Sequence, residues 1–86
     1  MVSLDTPIGK VVHFFDRISV VVISLSSKIS IGDEVRFVDN RHGIDFSQKI
    51  ESLELDHKVF TEGQPQTEVA TKVAQPVKEG ALVYKV

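Results

Sequence analysis

Cysteine and tryptophan are absent from these 86 residues, and tyrosine occurs once. Without cysteine the chain forms no disulfide, zinc-thiolate centre or thiol nucleophile, so a fold this small is held by packing alone. That suits a reducing compartment, and a cytoplasmic location is expected. A long hydrophobic run is missing as well. The most apolar stretch, Ile18 to Leu25, is broken by serines and is far short of the roughly 20 residues that span a bilayer. Met1 to Pro7 lacks the basic and apolar regions of a secretion signal, so no membrane association is expected. Nor is there an excess of basic charge: ten Lys and Arg stand against twelve Asp and Glu, a formal charge of −2. Dense phosphate neutralisation, the main source of non-specific nucleic-acid affinity, is therefore not expected. A local patch is not, because His13, Arg17, Lys28, Arg36, Arg41 and His42 crowd the first half while the acids concentrate later.

What the sequence has instead is turn chemistry between β-branched runs. In Ile29 to Val38, Gly32-Asp33 supplies a tight turn and Val35 and Phe37 then alternate as in a half-buried strand. Ile8 to Phe15 and Ile18 to Leu25 read as a hairpin joined at Asp16-Arg17, since β-branching crowds a helix and suits a pleated surface. Asp39-Asn40-Arg41-His42-Gly43 is a cluster of turn formers. A long strand is expected after it, over Ile44 to Leu55, followed by a loop from Val59 to Gln66 and strands over Glu68 to Val73 and Ala81 to Lys85. Residues 1–7 read as a lead-in and 8–86 as one domain. Six strands without a helix imply an all-β fold, a small closed six-stranded barrel whose closure removes its edges. The expected core is Val11, Val21, Ile23, Val35, Phe37, Ile50, Leu53, Val73 and Val83.

The order of Ile8-Gly9-Lys10-Val11, the Val-rich second strand, Ile31-Gly32-Asp33-Glu34-Val35, Ile50-Glu51-Ser52-Leu53 and Val77-Lys78-Glu79-Gly80-Ala81-Leu82-Val83-Tyr84 resembles the second domain of translational GTPases such as elongation factor Tu. The chain is similar to the short translation elongation factor-like proteins, and to the barrel appended to some collagenase-like peptidases. The resemblance implies a Greek-key barrel and an RNA contact. No Gly-x-x-x-x-Gly-Lys-Ser/Thr motif is present, so nucleotide hydrolysis is not expected.

Two turns carry the candidate binding residues. His13-Phe14-Phe15-Asp16-Arg17 puts aromatic and basic groups beside a hairpin turn, a combination that can stack a base and pair a phosphate. The plain alternative is one phenylalanine in the core, the other over an open end, and a solvated arginine. Adjacent residues of a strand face opposite ways, so Phe14 and Phe15 cannot both point inward. Arg41 and His42 occupy the other turn, where function often sits and where a solvated hairpin tip is the commoner case. His13, His42 and His57 match no metal-ligand spacing, and no serine lies in a Gly-x-Ser-x-Gly elbow. Glu54 and Asp56 would share a strand face, which more often makes a solvated surface than an acid pair. No catalytic residue, cofactor or metal is expected. The leading expectation is a non-enzymatic module contacting RNA or a ribonucleoprotein through His13, Phe15, Arg17, Arg41 and His42. The alternative is an accessory barrel that binds a partner protein, such as a collagenase-like peptidase, through the same rim.

Overall fold

The computed structural model describes residues 6–86, so most of the expected lead-in lies outside the described residues. Ten strands follow one another: β1 (Gly9–Phe15), β2 (Val20–Leu25), β3 (Ile29–Ser30), β4 (Glu34–Asp39), β5 (Ile44–Lys49), β6 (Glu54–Leu55), β7 (Lys58–Val59), β8 (Glu62–Gly63), β9 (Glu68–Lys72) and β10 (Leu82–Lys85). One 3₁₀ turn, Asn40–His42, interrupts them. Eight strands form one antiparallel sheet in the order β5-β4-β10-β1-β2-β9-β6-β7, and β3 pairs with β8 in a second.

The all-β expectation holds, but the closed six-stranded barrel does not: the large sheet is open. Closure fails where β5 ends. The expected strand over Ile44 to Leu55 ends at Lys49, because Ile50 and Leu53, three residues apart, are both fully buried. A regular strand repeats its inward face every second residue, so burying both bends the chain out of the ladder. Across the resulting seam, β5 reaches β9 through a side chain: Gln48 Nε2 donates to the Lys72 carbonyl and Gln48 Oε1 accepts from the Ala74 N–H, both at 2.8 Å.

All nine expected core residues are buried, joined by Ile8, Leu25, Ile29, Val69, Val77 and Ala81. The turn before β4 forms as read: Asp33 Oδ2 accepts from the Ser30 N–H at 2.9 Å and Gly32 takes φ +93°, a conformation costly to a residue with a Cβ. The β1–β2 hairpin forms too, but its turn runs on through Ser19, so β2 begins at Val20 rather than Ile18, and β1 shows a further departure. Val11 pairs with Ile23 but His13 pairs with Val22, so Val12 is an extra residue, a β-bulge. Past the bulge the inward face changes parity, and Phe14 packs against the core while Phe15 turns out.

The segment expected as a loop from Val59 to Gln66 contains the end of β7 and all of β8. β6 and β7 form a hairpin closed by Asp56 and His57, both at positive φ (53° and 64°), the backbone of a type I′ turn. Asp56 therefore does not share a strand face with Glu54 as expected.

Candidate functional site

β10 lies between β1 and β4 and is antiparallel to both. β1 and β4 consequently run in the same direction, and their C-terminal ends emerge side by side at one end of the sheet. Between them passes the chain entering β10, residues 76–81. This topology brings together the two turns that the sequence singled out.

The β4 end is fixed from within. Asp39 is only 8% exposed. Its Oδ1 accepts from the Arg41 N–H at 3.1 Å, capping the 3₁₀ turn, and its Oδ2 lies 2.7 Å from His42 Nδ1. The hydrogen bond from His42 holds the Asp39 carboxyl below the usual carboxylate range, against the opposing effect of burial. An ionised carboxylate only accepts, so Nδ1 of His42 carries the proton and Nε2 is left available. Gly43 ends the turn at φ +66°, the left-handed conformation that favours glycine.

His42 lines an open cleft of about 400 Å³ with Phe14, Val77, Lys78 and Glu79. Outside that lining, His13 Nδ1 stands 3.5 Å from Glu79 Oε2, and the His13 ring centroid is 6.2 Å from that of Phe15, tilted by 35°. Phe15 is 49% exposed. The Arg41 guanidinium lies over Gly80, its Nη2 3.8 Å from where a Cβ on that glycine would stand. His13, Arg41 and His42 thus all reach the loop before β10, and Phe15 adjoins it only through His13. Arg17 stands exposed in the β1–β2 turn and is not among the residues lining the cleft.

Sequence reasoning missed Phe14, Val77, Lys78 and Glu79 as lining residues. The signal for the last three was the bracket from Pro76 to Gly80, which marked a loop but not its neighbours. The cleft lining combines two apolar side chains, Phe14 and Val77, with the His42 imidazole, the Lys78 ammonium and the Glu79 carboxylate. Among the described residues no three His, Cys, Asp or Glu side chains stand close enough to hold a metal. No helix is long and apolar enough to cross a membrane.

No family model matches this chain. It is 30% identical over 77 residues to an uncharacterized protease of Methanocaldococcus jannaschii, an alignment covering 90% of this chain and 19% of the relative. The chain therefore spans about a fifth of the length of the curated relative it matches. Its fold matches two crystal structures of the C-terminal domain of a Geobacillus thermoleovorans protein classed as a U32 peptidase. One superposes with a TM-score of 0.88 at 24% identity, covering 98% of this chain and 99% of that one. The selenomethionine variant gives 0.87 at 22% identity, covering 93% and 99%.

These matches correct the resemblance to translation elongation factor-like proteins and the elongation factor barrel. The relative is a protease and the matched structures are a peptidase C-terminal domain. The RNA-binding expectation drawn from that resemblance goes with it. Glycine turns between valine-rich ribbons dictate how a sheet curls, and domains with unrelated work share that curl.

Proposed function

We propose that this chain is a non-catalytic accessory domain that docks onto a peptidase unit of the U32 kind, with the rim His13, Phe15, Arg17, Arg41 and His42 as its contact surface. The observation that carries this reading is the extent of the structural match. The chain corresponds over 98% of its length to 99% of a peptidase's C-terminal domain. The rim supports it further. Phe15 is half-exposed and Arg17 and Arg41 are exposed, and aromatic residues and arginine are the types enriched at interface anchors.

The test is direct binding. The chain is titrated by calorimetry into a U32 peptidase unit lacking its own C-terminal domain, with peptide hydrolysis by each component followed in parallel. Saturable binding is expected, with no hydrolysis by the chain alone. The double variant Phe15→Ala, Arg41→Ala is expected to weaken binding by at least about tenfold. Absence of binding, or full affinity in the double variant, overturns the docking surface; hydrolysis by the chain alone overturns the accessory role.

A further inference from the structure

The large sheet ends in two edge strands, and they are guarded differently. β7 has two residues, the short kind of edge by which β proteins avoid pairing with other chains. β5 has six, paired with β4 in one unbroken register from Ile44 opposite Asp39 to Lys49 opposite Glu34, with no proline, glycine or bulge. In an antiparallel ladder hydrogen-bonded and non-hydrogen-bonded pairs alternate, so the neighbours of β5 decide which of its backbone groups are spent. The Val86 N–H donates to the Glu34 carbonyl at 2.9 Å. Glu34, Arg36 and Val38 therefore turn their backbone groups toward β10, and Val35, Phe37 and Asp39 turn theirs toward β5. The Ile50 N–H, donated to the Asp33 carbonyl at 2.8 Å, keeps the same alternation. Ile44, Phe46 and Gln48 are thus bonded to β4. The N–H and C=O of Asp45, Ser47 and Lys49 point out of the edge, where no further strand follows.

The side chains alternate in step. Ile44, Phe46 and Gln48 are half-buried on the inner face, from which Gln48 reaches β9, while Asp45, Ser47 and Lys49 are exposed on the outer face. Ser47 therefore has an acid two residues before it and a base two residues after it. Charge on an edge ordinarily keeps other strands away; the charge on this edge is complementary to itself.

We propose that β5 is the interface of a two-fold dimer, in which β5 of a second copy of this chain pairs antiparallel with it, centred on Ser47. Each Ser47 exchanges both backbone hydrogen bonds with its counterpart, and Asp45 of each copy does so with Lys49 of the other, because these are the residues whose groups point outward. Charge selects the register. Centring on Asp45 or on Lys49 sets like charges face to face, which is unfavourable, whereas centring on Ser47 brings Lys49 beside Asp45 of the second copy, twice over. These pairs extend charges already in place. Glu34 stands opposite Lys49, and Asp45 is held by Arg36 through two 2.6 Å hydrogen bonds. Across the dimer the outer face carries a row of alternating sign: Glu34, Lys49, then Asp45 and Arg36 of the second copy. The Asp45 side chain remains 50% exposed beside Arg36, and a carboxylate accepts more bonds than the guanidinium uses. No rim residue takes part, so this contact is separate from the peptidase docking surface.

The test is sedimentation of the chain from micromolar to millimolar concentration, with amide hydrogen exchange followed over the same range. A monomer to dimer equilibrium is expected, with exchange at Asp45, Ser47 and Lys49 slowing as the chain is concentrated. Lys49→Glu sets carboxylates opposite one another and Asp45→Lys sets ammonium groups opposite one another, so each variant is expected to self-associate at least about tenfold more weakly. Mixed in equal amounts, the two variants restore opposite charges at both pairs, and are expected to associate with each other more tightly than either does with itself. Ser47→Pro removes the central outward N–H without touching the ladder to β4, and is expected to leave a monomer whose core amides keep their shifts. A monomer at millimolar concentration, or no gain on mixing the charge variants, overturns the proposal. So does a dimer in which the Ser47 amide exchanges at the monomer's rate, since another face would then hold it together.

Discussion

Gln48 and Ala74, twenty-six residues apart, are tied by a 2.8 Å hydrogen bond, and the same amide holds the Lys72 carbonyl at 2.8 Å. One side chain thus spans the seam where the sheet fails to close. Both backbone groups are exposed, so water replaces the amide if it is removed, and Gln48→Ala is expected to cost about 1–2 kcal/mol. Amide exchange at Ala74 should accelerate more than at the core positions Val21 or Val83. Gln48→Glu keeps the acceptor for Ala74 and loses the donor to Lys72, and should fall between.

Thr71 faces the interior opposite Val21, only 2% exposed, and its Oγ1 has no hydrogen-bond partner among the described residues. A buried unsatisfied hydroxyl costs about 1–3 kcal/mol. Thr71→Val keeps the shape and removes the polar atom. It is expected to raise the Tm by several degrees, on the order of 4–8 °C per kcal/mol for a domain of this size, measured by thermal circular dichroism.

The acid limb of stability should rest on two aspartates. Arg36 Nε and Nη2 each donate to Asp45 at 2.6 Å, and this hydrogen-bonded guanidinium holds the Asp45 carboxyl below its ordinary value; His42 does the same for Asp39. Carboxyls lowered on folding add stability that is fully present above the unfolded value of about 3.9 and lost as pH falls through the folded values. The urea midpoint should therefore be flat near neutral pH and decline below about pH 4. Asp45→Asn should flatten part of that decline, and an unchanged acid limb in this variant would exclude the pair as its source.

Phe37 in β4 and Phe15 past the β1 bulge separate a structural phenylalanine from a surface one. Phe37 is fully buried, its ring stacked on Phe46 with centroids 5.2 Å apart, and Phe37→Ala should cost about 3–5 kcal/mol. Phe15→Ala, at a half-exposed position, should cost well under that by chemical denaturation. A large loss at Phe15 would mean that the ring supports the fold rather than a contact.

Much of this fold could be read from residue order because turn chemistry is local. Gly32-Asp33, the Asp39 to Gly43 cluster and the β1–β2 hairpin all form where the residues place them. The errors lie where a tertiary demand overrides local periodicity. The run from Ile44 to Leu55 alternates in sequence but bends so that Ile50 and Leu53 can both enter the core. Asp56 and His57 adopt left-handed conformations without the usual Asn-Gly signature, so the β6–β7 hairpin was hidden. The rim was visible as two separate turns. That His13, Arg41 and His42 meet one loop depends on β10 pairing with both β1 and β4, which no local pattern announces.

The position of β10 also sets an order of events during synthesis. The β1–β2 and β4–β5 ribbons can each zip as soon as their own residues leave the ribosome, but the strand that joins them is Leu82–Lys85. Until those residues emerge, the ribbons have exposed flanks and an unsealed interior, the condition in which nascent β proteins are vulnerable to misassociation. The final rows of side chains therefore act as a latch, converting two loosely associated halves into one cooperative body in a single late step.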